Sequence, residues 1–288
     1  MAYLIHLAIT FSIYAILAMS MNLVVGFSGL LSVTQAAFYG IGAYTVAILS
    51  TSYHMNFFFS LVVGVLTAAG LSLLIGLVLS RFEGDYYALC SLGFNVIIFS
   101  IMLNWQDFTR GPLGIPGIAR PVVGGFKFLD NLHFLYLTLG FVIGGFLISR
   151  FIVQSSFGRV LKAIREDEQA IRVFGYNTTW YKLVIFVISA ALAAVAGSLF
   201  ASYISFIDPT SFTINESVFI LAIIILGGLA NLRGSIIGAM FLILLPELLR
   251  FVGFPNEIAA QMRQLVYGLL LILLMLYRPQ GLMGEYKL

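Results

Sequence analysis

From Met1 to Ser80 the chain contains no Asp, Glu, Lys or Arg; its first formal charge is Arg81. A soluble domain carries about 25% charged residues, because even a well-buried chain of this size keeps a large wetted surface. Eighty uncharged residues cannot supply that surface, whereas lipid tails are a solvent that accepts them. The remainder of the 288 residues follows the same rule, with 61% hydrophobic residues, 9% charged and a mean hydropathy of +1.04. Runs such as Leu61–Leu79 and Leu265–Leu276 are continuous rather than alternating, which excludes the strands of a membrane barrel and leaves helices.

About 20 apolar residues cross the hydrocarbon core as a helix. On that measure the chain is an all-α polytopic integral membrane protein of about eight to nine transmembrane helices. The segments are 3–25, 31–50, 57–79, 86–105, 132–149, 183–206, 216–231, 235–252 and 264–277. The pair 216–231 and 235–252 is short and interrupted by Gly227, Gly228 and Gly234, so two spans or a re-entrant hairpin both fit. The N-terminal run lacks a basic leader and continues into a second apolar segment, so it is expected to remain as a span. The whole of 1–288 reads as one transmembrane domain. It carries a Gly- and Pro-rich loop at 107–131, a long hydrophilic connection at 150–182 and a polar tail from Arg278.

The basic residues orient it. With 150–182 in the cytosol, ten of them fall inside (Arg81, Arg150, Arg159, Lys162, Arg165, Arg172, Lys182, Arg233, Arg278 and Lys287). Five fall outside, namely Arg110, Arg120, Lys127, Arg250 and Arg263. Cytosolic loops are enriched in Lys and Arg, so 107–131 faces outward and the C-terminus inward.

Enzyme chemistry finds no support. His6, His54 and His133 are scattered, the single Cys90 forms no internal disulfide or cysteine cluster, and there is no Gly-x-Ser-x-Gly elbow. No Gly-x-x-x-x-Gly-Lys loop is present, so ATP is not bound by that route. No cofactor, metal or nucleic acid is expected.

The hydrophilic connection holds a helical pattern. Apolar residues Phe157, Val160, Leu161, Ile164, Ile171 and Phe174 share one face, and Glu168 precedes Arg172 by four residues. Gly175 suits the stop, and Asn177-Thr178-Thr179 offers caps for the next helix. Spacing alone leaves two readings open: a linker at the lipid headgroups, or a helix docked in a groove of a cytosolic partner.

The residues from Gly158-Arg159-Val160-Leu161-Lys162-Ala163-Ile164-Arg165-Glu166-Asp167-Glu168 through Phe174-Gly175-Tyr176-Asn177 resemble the cytoplasmic loop of branched-chain amino-acid ABC permeases. Glu83-Gly84-Asp85-Tyr86-Tyr87, Gly114-Ile115-Pro116-Gly117, Arg233-Gly234-Ser235-Ile236-Ile237-Gly238-Ala239 and Arg278-Pro279-Gln280-Gly281-Leu282-Met283-Gly284 agree with it. As a set they look like the LivM-type subunit rather than its LivH-type partner. The resemblance implies a bacterial inner-membrane permease working as a heterodimer with a second permease. It implies further partners: two cytosolic ATPase subunits and an extracytoplasmic solute-binding protein. It also implies that Leu161, Ile164, Arg165, Glu168, Ala170, Phe174 and Gly175 couple to the ATPases. In the usual Glu-Ala-Ala-x-x-x-Gly pattern, Gln169-Ala170-Ile171 stand at the first three positions and Gly175 at the last. Only the Ala and the Gly agree, and the nearest acid, Glu168, is one place early. Branched-chain amino acids are the expected solute. Urea or short amides in a related importer, and a stand-alone secondary transporter, are the alternatives.

Within the spans, Asn22, Gln35, Asn95, Asn104, Glu216 and Glu247 are costly against lipid and should face protein. Hydrogen bonding between helices is the plain role, and lining a solute path the sharper one for Asn22, Gln35 and Asn95. Gly228, Gly234 and Gly238 are expected to let helices approach closely, as is the pair Gly140 and Gly144.

Overall fold

The computed structural model describes residues 2–123, 126–127, 130–250, 265, 268–269, 272, 276 and 280–283. Eleven helices run in chain order through these residues: α1 (Ala2–Asn22), α2 (Gln35–Ser52), α3 (Phe57–Leu79), α4 (Asp85–Asn104), α5 (Gln106–Thr109), α6 (Asn131–Gln154), α7 (Ser156–Glu166), α8 (Glu168–Val173), α9 (Thr178–Ile204), α10 (Ile214–Gly227) and α11 (Leu232–Arg250). Five are long and apolar enough to cross a membrane: Tyr3–Phe27, Phe57–Leu79, Asp85–Asn104, Asn131–Gln154 and Thr178–Ile204. The α10–α11 pair, bent by 117° at its break, makes a sixth if taken as one broken span. That is fewer than the eight to nine expected. The segment 216–252 is this bent pair, and 264–277 lies mostly outside the described residues.

The segment expected at 31–50 explains much of the shortfall. Its helix starts only at Gln35, and thirteen of the eighteen residues of α2 are buried within the bundle. A helix wrapped by protein does not need a uniformly apolar surface. It carries Gln35, Gly40, Gly42 and Ser50 among those buried positions. α9 crosses it at backbone contact: a Cβ on Gly197 would strike the Tyr39 carbonyl, and one on Gly42 the Ala194 carbonyl. These two glycines fix α2 against α9, and a core of small and aliphatic side chains, including Ala43, Ala47, Ala190 and Ala193, fills the seam.

Before α2 the chain leaves regular helix. α1 ends in one π-helical turn, Leu23–Phe27, then runs without helix from Gly29 to Thr34. Irregular backbone at membrane depth survives only where protein satisfies it. Here Ser91 Oγ accepts from the Val33 amide at 3.0 Å, and the Val33 carbonyl accepts from Asn95 Nδ2 at 2.8 Å.

A Cβ on Gly234 or Gly238 would strike the Gly227 or Ile223 carbonyl across the bend. Gly228 takes φ +113, a conformation reserved for glycine. The pair Gly140 and Gly144 is different, since a Cβ at either meets nothing within 4 Å, so α6 uses neither for packing inside this chain.

The loop expected to be irregular at 107–131 is partly tethered. β1 (Ile115–Pro116) pairs antiparallel with β4 (Phe206–Ile207), after α9, and β2 (Val122–Val123) pairs with β3 (Phe126–Lys127). Gly117 and Ile118 donate to the Ser205 carbonyl at 3.0 and 3.3 Å.

Candidate functional site

The connection expected to form one helix over 157–174 forms two. Asp167 takes extended φ and ψ of −153° and 99°, and its carboxylate accepts from the Ala170 amide at 3.0 Å, capping α8. Asp is a favoured cap because its short carboxylate reaches the amides of the first turn. That local bond competes with continuing α7, and it wins.

The break divides the expected docking face. Leu161 and Ile164 are only 1% and 4% exposed. Leu161 belongs to a cluster with Leu23, Phe27, Ile185, Leu192, Ala230 and Leu232, drawn from the π-helical turn, α9 and the α10–α11 break. Arg165 also turns inward: its guanidinium donates to the Gly26 carbonyl, and its stem lies over Gly29, where a Cβ would touch it. α7 is therefore a strut against the chain's own spans, and these three residues present no face to a partner. The apolar surface left outward is at the end of α8, where Val173 is 86% and Phe174 77% exposed. Gly175, at φ +86, then turns the chain toward α9.

A charge cluster anchors α8. Glu168 accepts from Arg172 at 2.7 Å, from Thr178 Oγ1 at 2.9 Å and from the Lys182 ammonium. Arg172 also pairs with Glu83, in the turn before α4, at 3.1 Å. Partial burial pushes the Glu168 carboxyl upward, but the bonds from Lys182, Thr178 and Arg172 outweigh it and hold the group below its usual range. The hydrogen bond and charge of Glu168 raise Arg172 in turn. α8 is thus fixed to the start of α9 and to the α3–α4 turn, while Ala170 lies about one turn before the exposed end.

At the base of the bundle, the buried side chain of Asn22 holds the α10–α11 break. Its Nδ2 donates to Ser235 Oγ at 2.6 Å and to the Asn231 carbonyl at 3.0 Å, and its Oδ1 accepts from the Ala230 amide at 3.0 Å. The tail closes the other side, with the Leu282 and Met283 amides donating to the Leu226 and Gly227 carbonyls at 2.9 and 3.0 Å. Carbonyls at a helix end lack intrahelical partners, and the tail supplies them. Nothing in the periodicity signals this role for the tail.

Gln35 and Asn95 are likewise buried and turned to the chain itself. Gln35 donates to Ser20 Oγ, and Asn95 to Ser217 Oγ at 2.9 Å. Asn22, Gln35 and Asn95 therefore join helices, and the structure opens none of them as a path lining. Glu216, half-buried, accepts from Tyr14 at 2.5 Å. The side chain of Glu247 lies outside the described residues.

Replacing Asn22 with Leu strands the Ala230 amide in the core at a cost of about 1–3 kcal/mol, whereas the Asn231 carbonyl keeps the Ser235 amide as donor. The melting temperature of the detergent-solubilised variant should fall by roughly 2–8 °C. An unchanged melting temperature would remove Asn22 as the pin of the bend.

Residues 3–275 match the family described as branched-chain amino acid transport system / permease component. The chain belongs to this permease family. It is 39% identical over 295 residues to the high-affinity branched-chain amino acid transport system permease protein LivM of Salmonella typhimurium, covering 94% of this chain and 68% of the relative. The LivM of Escherichia coli K12 matches with the same identity and coverage. The LivH permease of Escherichia coli K12 is 32% identical over 136 residues, which is 47% of this chain and 42% of the relative. No solved structure matches the chain. Membership in the family, with several apolar helices, makes this permease a membrane transport component.

Proposed function

We propose that this permease is one of two membrane subunits of an ATP-driven importer for branched-chain amino acids, held in a bacterial inner membrane. The observation that carries the reading is the 39% identity, across 94% of the chain, to permeases named for high-affinity transport of those solutes. The partners are a second permease of LivH type, two cytosolic ATPases and an extracytoplasmic binding protein that delivers the solute. The chain makes no covalent change to it. Counting α2 as an interior span and α10 and α11 as two segments that turn back at their break keeps 107–131 on the outer side and the break on the cytosolic side, as the basic residues require.

In this reading the exposed Val173 and Phe174 seat in an ATPase groove. Closure of the ATPases moves α8, and the Glu168 cluster carries the motion to α9 through Lys182 and to the α3–α4 turn through Arg172 and Glu83. α9 takes α2 with it, because the Gly197–Tyr39 and Gly42–Ala194 contacts leave no slack between the two helices. α7, fixed by Arg165 to the end of α1, transfers the remaining force.

Orientation is tested by single cysteines at Gln154 and at Leu113 in a Cys90→Ser background, labelled with an impermeant thiol reagent in intact spheroplasts. Leu113→Cys should react, and Gln154→Cys should react only in inverted vesicles. The reverse pattern would overturn the topology and the docking scheme with it.

A further inference from the structure

α10 begins inside the membrane rather than at its edge. Asn22, at the inner end of α1, bonds the α10–α11 break, and Glu216, in the first turn of α10, bonds Tyr14. Tyr14 is eight residues from Asn22 and eleven from Tyr3, about 12 Å and about 17 Å of helix. Glu216 therefore stands near mid-depth. α9, by contrast, ends at the outer level, where Tyr203 meets His6 and β4 pairs with β1. Between the two helices the chain descends through the strand Phe206–Ile207 and one tight helical turn, Pro209–Phe212.

Irregular backbone and polar side chains at this depth need protein or water around them, not lipid. Phe212 has protein, seated on Tyr39 and Tyr44 with ring centroids 5.1 and 5.9 Å apart. Asn215 is exposed and Glu216 only half-buried, so the other side of the turn opens away from this chain. Its polar groups are unfinished. Thr213-Ile214-Asn215-Glu216 has the spacing of a capping box, yet Thr213 makes no side-chain cap bond. Glu216 reaches Tyr14 instead, with one carboxylate oxygen. Among the described residues, the Ile214 and Asn215 amides and the other Glu216 oxygen have no partner. Two side-chain atoms behind them are buried and also unpaired. One is the Tyr39 hydroxyl, within electrostatic reach of Glu216; the other is Asn95 Oδ1, whose amide nitrogen bonds Ser217. Tyr39 is 1% and Asn95 0% exposed, and polar atoms so placed are normally bonded. A structural tie between α10 and α1 explains the Glu216–Tyr14 bond and leaves the other groups unexplained.

An α-amino acid carries the complement of this set. Its carboxylate suits free amides at the positive end of a helix, and its ammonium suits a carboxylate backed by neutral oxygens. We propose that the first turn of α10 is this chain's wall of the solute path, holding the solute's carboxylate on the Ile214 and Asn215 amides and its ammonium on Glu216. The inference deepens the importer reading and rests on it. Helices that stop at the bilayer midplane present their N-termini to anionic solute groups in the same way in other transporters.

The test is thiol labelling of Asn215→Cys in a Cys90→Ser background. It uses the assembled complex of both permeases and the ATPases in nanodiscs, where both faces are reachable. A positively charged methanethiosulfonate reagent should modify Asn215→Cys and should spare Leu66→Cys, on the exposed apolar face of α3. Saturating leucine should slow the reaction about tenfold. Isocaproate, which lacks the ammonium, and isoamylamine, which lacks the carboxylate, should slow it little. Glu216→Gln still accepts from Tyr14 and so spares the tie to α1. It should keep Asn215→Cys reactive and abolish the protection by leucine. No reaction at Asn215→Cys, reaction without protection, equal protection by either analogue, or protection retained in Glu216→Gln would each overturn the proposal. Loss of reactivity in Glu216→Gln would mark the residue as structural and overturn it too. Leucine uptake by the same complex is read separately. Uptake without protection removes the site and leaves the importer reading standing, whereas protection without ATP-driven uptake keeps a binding site and contradicts the importer.

Discussion

Val173→Asp combined with Phe174→Asp is expected to release the ATPase subunits from the purified complex. Both side chains are largely exposed, and they end a short helix that is otherwise fixed by charge. Burying an apolar side chain of this size in a partner contributes about 1.5–3 kcal/mol. Losing two of them therefore weakens association roughly a hundredfold or more. The neighbouring Arg172–Glu83 pair, exposed on both sides, is worth about 0–1 kcal/mol, so Glu83→Gln should leave recovery of the ATPases nearly unchanged. Leu161→Asp is not a usable substitute. Leu161 is buried in the chain's own core, and a charge there damages the strut whatever docks nearby. If α8 only rests at the headgroups, the double Asp variant keeps its ATPases, and that result would end the docking proposal.

Gly234→Leu should prevent the chain from accumulating in folded form. A Cβ on Gly234 meets the Gly227 carbonyl, which is backbone and cannot rotate aside as a side chain would. Overpacking a core costs about 1–3 kcal/mol where side chains can adjust. Here α10 and α11 must separate, which also breaks the Asn22–Ser235 bond and the tail's hold on the bend. The cost then reaches or passes the top of that range, a large share of the roughly 5–15 kcal/mol that keeps a protein folded. Gly140→Leu and Gly144→Leu provide the contrast, since they share the four-residue spacing but meet open space. Fluorescence-detected size-exclusion chromatography should show the monodisperse peak lost for Gly234→Leu and kept for the α6 variants. A normal Gly234→Leu peak would mean that the bend tolerates separation.

The contrast between these glycine pairs shows how far the sequence could be read. Four-residue spacing identified both as small-residue stripes, but spacing carries no information on which stripe meets another backbone. The same limit explains α7. Periodicity grouped Leu161, Ile164 and Phe174 on one face, yet it could not say that the helix breaks at Asp167 or that the first two meet the chain itself. The cue for the split was present in Asp167, a capping residue three places before Ala170, in a stretch whose helical periodicity masked it. Long spans such as Phe57–Leu79 were legible because continuous apolarity has one physical meaning in a chain without charges. α2 was blurred at its start, because residues 29–34 are apolar enough for a span but are held as irregular backbone by Ser91 and Asn95, two residues on another helix. Of the polar residues within spans, Asn104 is exposed at the end of α4 and bonds only its own helix, whereas Asn22, Gln35 and Asn95 are buried against protein. Their partners, such as Ser235 for Asn22, lie as far as 213 positions away and could not be inferred from one sequence.

The most direct measurement is uptake of labelled leucine into proteoliposomes that contain this permease, its partner permease and the two ATPases. The lumen represents the cytosol, and binding protein and leucine are supplied outside. Accumulation against a gradient should require ATP on the lumenal side and should disappear when this chain is omitted. Leucine flux through this chain alone, or accumulation that persists without ATP, would contradict its place in an ATP-driven importer.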